Sequence, residues 1–347
     1  MDNVTRALVK NRYSESRIQY YSEKYFGYVA QGLVLTFVNS TIFLAIWVHP
    51  KLRKRPEMIV VSGLASVDTI TGLGALTSGF GRLVKIWFTN LNPSWSSRQC
   101  ITMPWAWLFT VKPHVNGLML TIVSLDRFIA IAFPIKYFKR KRRHALRMIA
   151  IPYLHALAPL IWVMGHAFLD TKRKHSPFCF TSSYMKASGW TYYKYSEPFF
   201  STFSVVLYGV TMIVLWAKKP PKGLNEEGLK RQFKYQRKFT LSLGLVALCT
   251  LVFETFPRFL LALKSVKLAS NKSLKAVPVI GGFLYKVVVY QYVIRNINPL
   301  SNIFIYSLRV REIRAGIRCL YTCKTLTDAE IGKTAGMNTT KVGPTKA

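Results

Sequence analysis

The segment Leu120–Arg147, LTIVSLDRFIAIAFPIKYFKRKRRHALR, decides the fold. It begins in an apolar run, sets Asp126 beside Arg127 where the run ends, and then crowds seven basic residues into the next twenty. An apolar stretch that gives way to dense positive charge is the mark of a helix leaving a bilayer on its cytoplasmic side. Apolar blocks of roughly 20 residues, enough to cross a ~30 Å hydrocarbon core, recur on both sides of this segment. Seven are read, centred on Phe26–Val48, Met58–Phe80, Pro104–Ile131, Met148–Leu169, Pro198–Ala217, Phe239–Leu263 and Val277–Leu308. Helices buried in a soluble domain would carry charged outer faces, whereas these are apolar nearly all round. The fold expected is an all-α membrane protein, a seven-transmembrane helix bundle with a short amphipathic helix after the seventh span.

Composition agrees: 50% of the 347 residues are hydrophobic and 14% aromatic. The net charge of +35 would suit a nucleic-acid partner, but its distribution excludes one. The densest basic runs, HPKLRKRPE, KYFKRKRRHALR, AKKPP and LKRQFKYQRK, abut the ends of hydrophobic blocks in alternate loops. The positive-inside rule places those loops in the cytoplasm beside anionic lipids, the N-terminus outside and the C-terminus inside the cell membrane. The opposite loops also carry lysines, as in DTKRKH and KSVKLASNKSLK, so orientation rests on charge density.

The expected organisation is an extracellular segment over residues 1–25, the bundle over 26–308, a membrane-surface helix over 309–323 and a disordered cytoplasmic tail over 324–347. The first 25 residues are polar and charged, so no cleaved leader is read and the first helix serves as an anchor. The sequons at Asn3 and Asn271 fall on the outer side and make Asn3 a glycosylation candidate. Cys100 opens the third block and Cys179 precedes the fifth, both on the oxidising side, so a disulfide between them is expected. Cys319 and Cys323 close the amphipathic segment, where palmitoylation and unmodified thiols are both open. No phosphate loop, nucleophile motif or metal-spaced cluster appears, so no cofactor, metal or enzymatic activity is expected.

Ionisable residues within membrane spans are costly and normally face the bundle interior with a partner. Here they are Asp68, Lys112, Glu254, Arg258 and Arg295, with Asp126 and Arg127 at the inner rim and amides at Asn39, Asn116, Asn298 and Asn302. Lys112 and Asn116 are four apart and share a helical face, as do Asn298 and Asn302.

In order along the chain, these residues resemble the motifs of rhodopsin-like (class A) G protein-coupled receptors, across all seven spans. Asn39 in FVNSTIFLAIW resembles the first-helix asparagine, and LASVD, ending in Asp68, the second-helix motif. SLDRFIAIAFP resembles the Asp-Arg-Tyr segment with Phe128 in place of tyrosine, Pro257 the sixth-helix proline, and NPLSNIFIYSLRVREIR the seventh-helix end with Asn302 and Tyr306. The stretch LRKRPEMIVVSGLASVD further resembles nematode chemosensory receptors. There are departures: Pro299 is displaced from the usual place, Glu254-Thr255-Phe256-Pro257 lacks the usual tryptophan, and Cys100 lies two residues further from Arg127 than is usual, suggesting an irregular third helix.

The resemblance implies a receptor that binds an extracellular ligand and activates a heterotrimeric G protein, with Asp126, Arg127, Phe128, Pro257, Asn302 and Tyr306 forming the switch. It places Phe109 where amine receptors carry a carboxylate and Asn296 where opsins carry the retinal lysine, which disfavours both ligands. Phe109, Glu254, Arg258 and Arg295 are the ligand-site candidates. Interior positives outnumber negatives in this list, which leaves room for an anionic small molecule or peptide. Glu254 and Arg258, four apart, can also pair internally. The polar core of Asn39, Asp68, Lys112, Asn116 and Asn298 is expected to place the Lys112 ammonium against Asp68. Counting twenty residues back from Pro257 puts Arg237 opposite Arg127. The alternative function is a membrane transporter of an anionic solute, although the internal repeats typical of that class are missing.

Overall fold

The computed structural model describes residues 15–88, 95–170, 175–217, 227–257, 278–322 and 326. The long helices among them are α1 (Glu15–Val48), α2 (Pro56–Phe88), α3 (Pro104–Ala132), α4 (Arg142–Leu169), α5 (Ala187–Ala217), α6 (Glu227–Thr250), α7 (Pro278–Arg309) and α8 (Arg311–Tyr321). A π-helical turn, Leu251–Thr255, continues α6. From α1 to α6, each contains a stretch long and apolar enough to cross a membrane.

The helices overrun the apolar blocks. In α5 the helix starts at Ala187, eleven residues before Pro198. Its first turns interleave Trp190, Tyr192, Tyr193 and Tyr195 with Lys194 and Glu197, which lowers hydropathy without breaking the helix. Proline opens α3 at Pro104 and the short helices Pro50–Arg53 and Pro134–Phe138, where its missing N–H leaves no further donor unsatisfied. Pro113, Pro152, Pro159, Pro198 and Pro299 lie within helices, a placement that membrane helices tolerate because groups around them can re-satisfy the freed backbone.

Close approach of α1 and α2 depends on glycine. A Cβ added at Gly72 would lie 2.6 Å from the Thr36 amide nitrogen, and one at Gly32 would lie 2.4 Å from that of Leu76. Lipid supplies no hydrophobic drive between helices, so small residues that let backbones touch hold such pairs together. The main core gathers Leu64, Met119, Tyr208, Phe239 and Tyr306 between α2, α3, α5, α6 and α7.

At one end of the bundle Cys100 and Cys179 are bridged, with Cα atoms 5.1 Å apart. Cys100 sits on a separate short helix, Ser97–Ile101, capped by Ser96 and Gln99. The irregularity expected of the third helix therefore falls ahead of α3, at Thr102 and Met103, and α3 itself runs unbroken through Pro113. Arg82 Nε donates to the Phe178 carbonyl at 2.9 Å and Lys85 Nζ to that of Pro177 at 2.7 Å, so α2 also grips the disulfide loop. At the opposite end α8 packs Ile313 and Gly316 inward, and His49 Nε2 meets the Gly316 carbonyl oxygen at 3.0 Å.

Candidate functional site

At the end opposite the disulfide, Arg127 is 1% exposed although it carries a full charge. Burial of this kind requires compensation from every side. Asp126 Oδ2 accepts from Arg127 Nε at 3.1 Å and also from Nη2. Arg127 Nη1 donates to Gln236 Oε1 of α6 at 2.9 Å, and Nη2 donates to the Tyr137 hydroxyl at 2.8 Å. Tyr137, on the short helix Pro134–Phe138, donates in turn to Asp126 Oδ2 at 3.2 Å. Burial pushes its hydroxyl well above the ordinary tyrosine range, so it stays protonated and keeps that donor role. Arg140 Nη1 takes the other carboxylate oxygen, Oδ1, at 3.0 Å. The Phe239 ring lies 4.8 Å from the Arg127 guanidinium carbon. The cluster thereby ties α3 to the following loop and to α6.

The residue opposite Arg127 is Gln236, and Arg237 is exposed on α6. The count from Pro257 misses by one because it assumes an unbroken α-helix. The π turn at Leu251–Thr255 inserts one extra residue, so the same position lies twenty-one residues back. Arg127 thus meets a neutral acceptor in place of a second cation, Arg237. Phe128 is half-buried beside it, and Tyr306 is fully buried with no hydroxyl partner among the described residues.

A second polar cluster lies in the middle of the bundle. Glu197 Oε1 accepts from Lys112 Nζ at 2.6 Å and from Asn116 Nδ2 at 3.0 Å, while Arg295 Nη2 reaches Oε2 at 3.1 Å. Asn116 Nδ2 also donates to Glu254 Oε1 at 2.8 Å, and Asn298 Nδ2 donates to Glu254 Oε2 at 2.9 Å. Thr250 Oγ1 completes the cluster on Asn298 Oδ1 at 3.2 Å. Two buried carboxylates thereby link α3, α5, α7 and the end of α6.

Two expectations change here. Lys112 pairs with Glu197, whereas Asp68 accepts from Asn302 Nδ2 at 3.0 Å. The face that Lys112 and Asn116 share turns toward α5 and α6, so the ammonium goes to the acid there. Glu197 escaped the sequence reading because the fifth block was begun at Pro198, one residue later. Its signal was available, an acid directly before a proline that would sit inside a helix. With Glu197 counted, Lys112 and Arg295 face Glu197, Glu254 and Asp68, so the expected positive surplus does not exist among the described residues.

Other candidates are dispersed. Asn39 donates to its own helix at the Leu35 carbonyl, 3.0 Å away. Phe109 packs on α2, where a Cβ on Gly74 would lie 3.1 Å from its Cε1. Asn296 donates to Gln31 of α1 at 3.0 Å. Pro257 is buried just after the π turn. Cys319 is 5% exposed and packs into the main core. Asn3, Asn271, Arg258, Cys323 and most of the tail over 324–347 lie outside the described residues.

A buried Asp-Arg pair at one end, a polar centre and a disulfide at the other end are arranged along one helix bundle. A search of curated proteins returned no match to this chain. The family described as 7 transmembrane receptor (rhodopsin family) matches over residues 38–306, from the first helix to Tyr306. The chain belongs to that family, and is a multi-pass membrane receptor.

Proposed function

We propose that this receptor binds an extracellular ligand at the disulfide end of the bundle and activates a heterotrimeric G protein at the Asp126–Arg127 end. The disulfide end then faces outside and the Asp-Arg end, with its basic loops, faces the cytoplasm. The observation that carries the reading is Arg127, buried at 1% exposure and bonded across to Gln236 of α6. A charge held this way is released only if α3 and α6 separate, so the pair reports helix separation to whatever docks there. At the centre, Glu197 joins α3 to α5 and α7, so a ligand that disturbs it acts on the helices that also reach the inner end. Arg295, the more open of its two cations, is the group a ligand acid would meet.

The test is nucleotide exchange on purified heterotrimers co-reconstituted with the receptor. Gln236→Ala is expected to raise ligand-free exchange above wild type, and adding Arg127→Ala is expected to remove that gain at equal surface expression. Exchange at the receptor-free rate for wild type and Gln236→Ala across the main G protein classes would contradict the coupling. Solute uptake in the same vesicles would then place the chain among transporters.

A further inference from the structure

Arg55 stands directly before α2, between the short helix Pro50–Arg53 and Pro56. Its backbone is fixed on both sides, because its amide donates to the Leu52 carbonyl at 3.0 Å and its carbonyl accepts from the Met58 amide at 3.1 Å. From there the side chain reaches two other elements. Nη1 lies 3.5 Å from Glu312 Oε1 in the first turn of α8, and the guanidinium carbon lies 5.7 Å from the centroid of the Tyr235 ring on α6. Glu312 is buried beside Ile313, which packs α8 onto the bundle.

Tyr235 and Phe239 are four apart on α6, and their rings stack with centroids 6.0 Å apart and 15° between their planes. Phe239 is the ring that lies against the Arg127 guanidinium. Two arginines, one before α2 and one on α3, therefore address the same pair of stacked rings. A cation is drawn to an aromatic face by the negative potential of the ring, so each contact holds α6 inward. The Tyr235 hydroxyl has no hydrogen-bond partner among the described residues, so the ring is what Arg55 meets. Buried Glu57 is in electrostatic reach of both arginines and offsets part of their mutual repulsion.

An outward movement of α6 takes Phe239 from Arg127 and Tyr235 from Arg55 together. Arg55 bonds neither Asp126 nor Gln236, so its hold on α6 does not pass through the pair already described.

We propose that Arg55 is a positioning residue for the switch, a second restraint that holds α6 through the Tyr235 ring and is itself held in place by Glu312 of α8. The inference rests on the α3–α6 separation proposed above. It makes the seat of α8 a determinant of how readily α6 moves.

The test needs no G protein. Spin labels at Lys136 and Arg237, both exposed, report the separation of α6 from the loop after α3 by double electron–electron resonance in nanodiscs. Arg55→Gln should raise the ratio of longer to shorter distances about threefold, the worth of one cation–π contact. Tyr235→Leu should do the same, and adding Arg55→Gln to it should raise the ratio no further. Arg55→Lys and Tyr235→Phe, which keep the cation and the ring, should stay near wild type. Glu312→Gln should raise the ratio in wild type and leave it unchanged once Arg55→Gln is present. An unchanged ratio in Arg55→Gln where Gln236→Ala raises it, or full additivity of Arg55→Gln with Tyr235→Leu, would overturn the proposal. A response to Arg55→Gln without one to Gln236→Ala would sustain it and count against the role given to Gln236 instead. Unchanged distances in both would overturn the two together.

Discussion

Glu197 joins α3, α5 and α7 at the centre of the bundle. It is clamped by Lys112, Asn116 and Arg295, and it sits at membrane depth where water cannot replace a lost partner. Removing one member of a buried ion pair typically costs about 3–5 kcal/mol, whereas replacing both by apolar residues of similar volume is often neutral. Glu197→Leu is therefore expected to lower the melting temperature of the reconstituted receptor, and Lys112→Met in the same chain should restore part of the loss. A double variant that melts no higher than Glu197→Leu would show that Lys112 is not its partner. Asp68 depends on Asn302 instead, so Lys112→Ala should leave an Asn302→Ala defect additive, as expected of groups without a shared bond. Strong coupling between the two substitutions in a double-mutant cycle would count against that assignment.

Helices are where the sequence spoke most clearly, because apolar length is a local property. The first five apolar blocks fall within the helices, and the pairing of Cys100 with Cys179 followed from their side of the bilayer. Register was harder to read. One extra residue in the π turn exchanged Arg237 for Gln236, and the polar, aromatic opening of α5 hid Glu197. Which acid Lys112 chooses depends on the rotation of α3 against α5, a property of packing that spacing along one helix does not contain. Helix contacts yield a further prediction. A Cβ at Gly72 would meet the backbone of α1, which cannot give way, whereas nothing lies within 4 Å of one at Gly27 or Gly209. Gly72→Ala should reduce the folded, surface-expressed fraction severalfold. Gly209→Ala should be neutral or stabilising by up to about 1 kcal/mol, since alanine is the better helix former. Thermal melts of the two variants with the same slope and direction of change would contradict the close α1–α2 contact.

Over the whole molecule, the two polar clusters stand at different depths and share α3 and α6. The central one joins α3, α5 and α7 through Glu197 and reaches the end of α6 through Glu254. The terminal one closes α3 on α6 through Arg127 and Gln236. A rearrangement at the centre can therefore be read at the end only as a change in the separation of these helices. The direct measurement places spin labels at Lys136, on the loop after α3, and at Lys234 of α6, both exposed. Distance distributions are then recorded by double electron–electron resonance in nanodiscs. The account predicts one short-distance population for the ligand-free receptor, and a longer one that grows with Gln236→Ala and again with a nucleotide-free heterotrimer. A single unchanged distribution under all three conditions, in a receptor that still drives nucleotide exchange, would contradict the claim that release of Arg127 from α6 is the signal.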